Sequence, residues 1–194
     1  MRYTPNMGFL RQFFANPIET GALTPSSRKL ATFITDRASL PKKRCVVELG
    51  SGNGIFTREI IDRISSETVF FGLEINKEFV KITRQKCPTA IVYHASALDI
   101  KKYLLKHNQE TTDCIISALP WSAFGQSPQT QLLDAIYDSL DDGGEFLTIA
   151  YIFGLVLPAG IRFRKLLDKK FRRVRRSRTI WGNIFPAFVY HCIK

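Results

Sequence analysis

From residue 42 onward the chain alternates short apolar runs with segments of helical period, and few architectures accommodate that alternation. The run Cys45-Val46-Val47-Glu48-Leu49 reads as a strand, and residues 56–64 put Phe56, Ile60, Ile61 and Ile64 on one helical face. TVFFGLE is a second strand ending at Glu74, and residues 77–87 form a helix stopped by Pro88. AIVYHA, TDCIISAL and EFLTIAY are further strands, separated by helices over 100–107 and 130–140, with a turn at Asp142-Gly143-Gly144. A basic helix over 161–171 and two last strands, within 172–180 and 187–193, complete the pattern. This predicts an α/β, Rossmann-like sheet of seven strands, mostly parallel, with the last strand antiparallel and helices on both faces. Ligands of such sheets bind at the carboxyl ends of the strands. The turns after Leu49, Leu73, Ala95, Ser117 and Ala150 are therefore expected to face one crevice, with the 181–186 connection opening on the same side.

Residues 41–194 are expected to form this domain and residues 1–40 an N-terminal helical extension. The extension has one helix over 7–15 and a second that begins after Thr24-Pro25-Ser26 and runs to residue 36, with Ser26 or Ser27 as its cap.

The first strand runs into Glu48-Leu49-Gly50-Ser51-Gly52-Asn53-Gly54. Glycines at every second position differ from the dinucleotide fingerprint, and no phosphate-binding lysine follows, which excludes a P-loop. Backbone without β-carbons can approach a ligand closely. Glu48 is read as a fixed negative charge that repels pyrophosphate and favours a cationic group. Glu74, twenty residues beyond Gly54, stands where an acid accepts hydrogen bonds from both ribose hydroxyls. A nucleoside with a positive, non-phosphorylated tail satisfies all of this, and S-adenosylmethionine (SAM) has that form. The cofactor set is Glu48, Gly50, Ser51, Gly52, Gly54, Glu74 and Ile75, with Ser96 and Ala97 after the third strand.

These residues resemble the motifs of the class I SAM-dependent methyltransferases: the ExGxGxG loop, the Glu after the second strand, and Leu119-Pro120-Trp121 after the fourth. The resemblance covers about residue 44 to the end. Where many members carry an aspartate after the third strand, this chain has Ser96. The segment SALPWSAF is similar to the (N/D)PPY motif of amino-group methyltransferases, but Ala118 replaces the residue that would hold a planar exocyclic amine. Trp121 either stabilises an alkylated ammonium by cation–π contact or packs as a lid over the cofactor. The segments FLRQFFANPIETGALTPSSRKLA and NIFPAFVYHC are similar to the two ends of the bacterial phospholipid N-methyltransferases. That resemblance implies methylation of the head-group amine of phosphatidylethanolamine and its methylated derivatives, with Leu119, Pro120, Trp121, Tyr151 and Asn183 at the substrate. The competing readings are an rRNA adenine N6-dimethyltransferase, an enzyme for another aminolipid such as ornithine lipid, and a non-catalytic SAM- or membrane-binding protein.

The net charge of +11 independently suggests an anionic partner. Residues 162–178 hold ten Lys and Arg side chains against Asp168 alone, Arg172, Arg173, Arg175 and Arg176 among them. In the first segment Phe9, Leu10, Phe13 and Phe14 lie on one side of a helical wheel and Arg11 on the other, as in an interfacial helix. The interleaved apolar residues Phe163, Leu166, Leu167 and Phe171 look like a helix's core side, which counts against nucleic acid as the partner. An anionic membrane surface and its phospholipid are the expected partners. The N-terminus lacks the apolar core of a signal peptide, and Gly154 and Pro158 break the longest apolar run. The chain is thus expected to be a cytoplasmic monomer at the inner face of the membrane. Four scattered cysteines and three scattered histidines predict buried thiols and no metal.

Overall fold

A computed structural model of the chain describes residues 27–182 and 185–194. The expected helix over 7–15, with Phe9, Leu10, Arg11, Phe13 and Phe14, lies outside the described residues, as does Asn183.

Seven strands, β1 (Cys45–Leu49), β2 (Val69–Glu74), β3 (Val92–His94), β4 (Thr112–Ser117), β5 (Leu140–Tyr151), β6 (Arg173–Arg176) and β7 (Ala187–Ile193), form one sheet. The helices are α1 (Arg28–Thr35), α2 (Ile55–Ile61), α3 (Lys77–Lys86), α4 (Ile100–Lys106), α5 (Gln126–Ser139) and α6 (Pro158–Lys170). The sheet order is β3-β2-β1-β4-β5-β7-β6. Strands β1 to β5 pair in parallel, and β7 runs antiparallel to both β5 and β6. The chain steps outward from β1 to β3 and then returns to the other side of β1 with β4. That reversal makes a topological switch point between β1 and β4, where a crevice opens beyond the strand ends.

Alternation within the strands explains why the sheet is covered twice. Val47, Leu49, Phe71, Ile115 and Phe146 face a core with Leu104 of α4, Leu133 of α5 and Phe163 of α6. Their neighbours Val46, Phe70, Cys114 and Leu147 face a second core with Ile34 of α1, Ile60 of α2 and Val80 of α3. Parallel strands buried on both faces read as continuous apolar runs, as CVVEL does. Each fully buried Leu, Ile or Phe stabilises the fold by about 1.5–3 kcal/mol relative to leaving it exposed. All four cysteines are buried thiols within these layers.

Helix α1 begins at the expected cap: the Leu30 N–H donates to Ser27 Oγ at 3.2 Å. Glu59 of α2 locks it down, accepting from Arg28 Nε at 2.9 Å and Thr32 Oγ1 at 3.0 Å. Two helices start earlier than the sequence suggests. Helix α5 begins at Gln126 rather than residue 130, and α6 at Pro158 rather than residue 161. Pro128 and Pro158 stand in first turns, where a missing N–H costs nothing. The strand expected within 172–180 is ladder-paired only over Arg173–Arg176, with an isolated bridge between Ile180 and Ala187. Among the described residues, no helix is long and apolar enough to cross a membrane.

Candidate functional site

A cleft of about 330 Å³ of empty space, partly open to solvent, lies beyond the carboxyl ends of β1, β2 and β4. Gly50, Glu74, Ser96, Leu119, Phe124 and Leu132 line it, together with Ile75 and Ala97. It sits at the switch point that the strand order creates.

The glycine loop is shaped by its neighbours. Gly50 has φ +80°, a left-handed conformation, and a Cβ there would come within 3.3 Å of Leu119 Cδ2. Any other residue would be strained and would also crowd the β4 loop. The Gly50 N–H donates to the Leu73 carbonyl at 2.8 Å, which ties the loop to the end of β2. The Gly52 N–H donates to Glu74 Oε2 at 3.0 Å, and the Asn76 N–H to Glu74 Oε1 at 2.8 Å. Asn76 in turn caps α3 by accepting from the Glu78 and Phe79 N–H groups. Burial pushes the Glu74 carboxyl up from its ordinary range, against the hydrogen bonds from Asn76, Gly52 and Ile75 that pull it down. Each of its oxygens has a second lone pair left for a hydroxyl donor.

Glu48 differs from the sequence reading. It is fully buried, and burial raises its pKa to about 8, with the hydrogen bond from Thr57 opposing and the Glu74 charge reinforcing. It is therefore protonated near neutrality and is not a fixed negative charge. Thr57 Oγ1 donates to its Oε2 at 2.7 Å, while its Oε1 has no partner among the described residues. Ser51 Oγ, also buried, is likewise unpartnered. Both residues flank the cleft-lining Gly50 in sequence, and the Glu74 carboxyl, which does line the cleft, offers acceptors that fit the hydroxyls of a polar nucleoside. Among the described residues no cluster of His, Cys, Asp and Glu could hold a metal ion.

Trp121 is the clearest departure. It was expected over the methyl path or as a lid, but it is 2% exposed. Its ring stacks on Phe163 of α6 at 4.3 Å, and its Nε1–H donates to Thr148 Oγ1 at 2.9 Å. It serves the core beneath the site and is not available to a substrate. Leu119 does reach the cleft, and Pro120 follows it away from the lining. Ser96 lines the cleft and caps the next turn by accepting from the Leu98 N–H at 3.2 Å. Tyr151 ends β5, half-buried, with its ring stacked on Phe153 at 5.5 Å. Phe124 and Leu132 complete the cleft wall and carry no motif that would have singled them out. Arg172, Arg173, Arg175 and Arg176 are all exposed, on and beside the edge strand β6.

The methyltransferase domain family matches residues 46–144, about half of the chain. An ornithine lipid N-methyltransferase from Singulisphaera acidiphila is 28% identical over 141 residues, covering 71% of this chain and 73% of that protein. The fold is similar to that of an O-methyltransferase from Bacillus cereus in complex with SAH, with a TM-score of 0.72, 15% identity, and coverage of 98% and 92% of the two chains. It is similar also to the O-methyltransferase TomG from Streptomyces achromogenes in complex with SAM, with a TM-score of 0.71, 13% identity, and coverage of 98% and 91%. With a glycine loop, a buried strand-end acid and a switch-point cleft of this form, the chain belongs to the methyltransferase domain family, as a class I SAM-dependent methyltransferase.

Proposed function

We propose that the chain methylates the head-group amine of a membrane aminolipid. The observation that carries this reading is the similarity, over 71% of the chain, to an ornithine lipid N-methyltransferase. Ala118 agrees with it: its methyl packs against the core on the α1 side, so no side-chain amide stands there to hold a planar nucleobase amine. Phosphatidylethanolamine, the substrate implied by the ends of the sequence, and ornithine lipid both present an amine beside acyl chains.

In this reading Glu74 would accept from the two ribose hydroxyls, and the backbone of Gly50, Ser51, Gly52 and Gly54 would hold the amino-acid tail. Glu48, buried two residues before Gly50, would stand behind the loop at the cationic end. Ile75, Ser96 and Ala97 border the adenine, with Phe124 and Leu132 as its apolar wall. SAM held there would supply an electrophilic methyl on sulfur, so that the lipid amine would gain a C–N bond as the C–S bond broke and would lose its proton to solvent. The chain contributes position and exclusion of water rather than a strong base. Leu119, with Tyr151 and Asn183, would border the amine's path, while Pro120 would only shape the turn behind Leu119. Of the N-terminal extension, the part ahead of α1 would act as a membrane anchor and lid, since α1 itself is packed into the domain core, with the β6 arginines adding attraction to anionic lipid at the cytoplasmic face.

The test is transfer from radiolabelled SAM to phosphatidylethanolamine, ornithine lipid and total RNA offered side by side. Label is expected in a lipid, and the labelled lipid names the head group. Label confined to RNA would overturn the proposal.

A further inference from the structure

Eight large hydrophobic side chains are exposed among the described residues, and six of them stand on two adjoining segments. Phe153, Val156, Leu157 and Ile161 belong to the β5–α6 connection and the first turn of α6, and Trp181 and Phe185 to the β6–β7 connection. The two segments are joined. The Ile152 N–H donates to the Pro186 carbonyl at 3.0 Å, and the Phe153 ring meets Phe185 edge-on at 5.6 Å. Val156 is 77% exposed and Trp181 65%. A contiguous apolar patch of this kind on a water-soluble surface marks an interaction site.

Its position and its flanks suggest the partner. The patch lies at the carboxyl end of the sheet, beside the cleft: a Cβ on Gly154 would sit 3.4 Å from Ser122 Cβ, three residues beyond the cleft-lining Leu119. Along α6 the line Leu157, Ile161, Lys165, Lys169 passes from apolar to basic in steps of four, all of it exposed. On the other flank Arg178 and Lys29 are exposed, with Lys29 Cδ 4.0 Å from where a Cβ on Gly182 would be. Between residues 151 and 182 the sequence has one acid, Asp168, and Arg164 takes it up in hydrogen bonds of 2.7 and 2.8 Å. An apolar tip with Trp and Phe inside a skirt of cations has the composition of a bilayer interface ligand. A second copy of the chain fits worse, because two-fold pairing of this patch would bring like-charged skirts together.

We propose that this rim, Phe153 to Ile161 with Trp181 and Phe185, enters the head-group layer of an anionic bilayer and holds the mouth of the cleft against the leaflet. The proposal rests on the aminolipid reading for its purpose but not for its test. Of the two tryptophans, Trp121 is buried, so a change of emission on adding vesicles reports Trp181. With vesicles of phosphatidylglycerol and phosphatidylcholine, Trp181 emission should shift to the blue and be quenched by brominated acyl chains. Pure phosphatidylcholine should do this more weakly. The double substitution Val156→Ser, Leu157→Ser should weaken vesicle partitioning about tenfold or more. It should leave methylation of an aminolipid dispersed in non-ionic micelles unchanged. Emission that anionic vesicles do not move, or partitioning that the double substitution leaves intact, would overturn the proposal. Equal binding to neutral vesicles would do so as well. So would self-association in lipid-free buffer that the same substitutions abolish, since that assigns the patch to a second copy. If no aminolipid in micelles accepts a methyl, the functional reading fails while the fluorescence still decides the surface.

Discussion

At Glu48, burial drives the carboxyl to a pKa of about 8 while Thr57 holds one of its oxygens, so near pH 7 it carries a proton. A cationic ligand arriving beside it favours the ionised form. SAM binding at pH 7 is therefore predicted to release a proton, seen as a calorimetric enthalpy that depends on the buffer's own heat of ionisation; Glu48→Gln should remove that dependence. Equal enthalpies for the unsubstituted chain in two such buffers would refute the assignment. The same shift sets the sign of a stability effect. The folded-state pKa lies above the ordinary value of 4.5, so the contribution is present in full below that value and is lost as pH rises to about 8. Thermal stability of the ligand-free chain should fall across that window, and less so for Glu48→Gln. At Glu74, Ala should weaken SAM binding by roughly 10- to 100-fold, the worth of one or two hydrogen bonds to a charged group. An unchanged dissociation constant would remove the ribose role. Glu74 and the glycine loop were legible in the sequence because their offset along the chain is local. The fate of Trp121 was not, because it is decided by Thr148 and Phe163, which the fold brings in from later in the chain.

Among the elements, the strands were readable because both-face burial writes a continuous apolar run, and β1, β2 and β7 fall where the pattern put them. The starts of α5 and α6 were misplaced because proline reads as a breaker, although in a first turn it is compatible with the helix. What the sequence does not display is how α6 seats. Gly160, in its first turn, lies so close to the preceding 3-10 turn that a Cβ would fall 1.8 Å from the Gly154 carbonyl oxygen. In an isolated helix Gly→Ala is stabilising by 0.5–1 kcal/mol or so. Here Gly160→Ala is predicted to do the reverse, costing about 1–3 kcal/mol through backbone displacement, or a melting temperature lower by several degrees. A raised melting temperature would show that α6 can move off the turn freely.

The whole molecule carries +11, with the cations gathered on α6, β6 and the residues after it. If lipid head groups are what these charges meet, methylation of lipid in anionic vesicles should fall severalfold between about 0.05 and about 0.5 M salt, as the screening length shortens from over 10 Å to a few Å. Methylation of the same lipid in non-ionic micelles should change little. Equal salt responses in the two would separate the charge from the activity. The distribution of cations also bears on β6, the end of the sheet order, where among the described residues no further strand pairs. An open ladder edge is a template on which a second chain can add. Here the template is studded with the guanidinium groups of Arg173, Arg175 and Arg176, which repel any identical edge. A soluble polyanion that neutralised them would therefore do more than compete for binding: it would unmask the ladder and let two such edges pair into one continuous sheet.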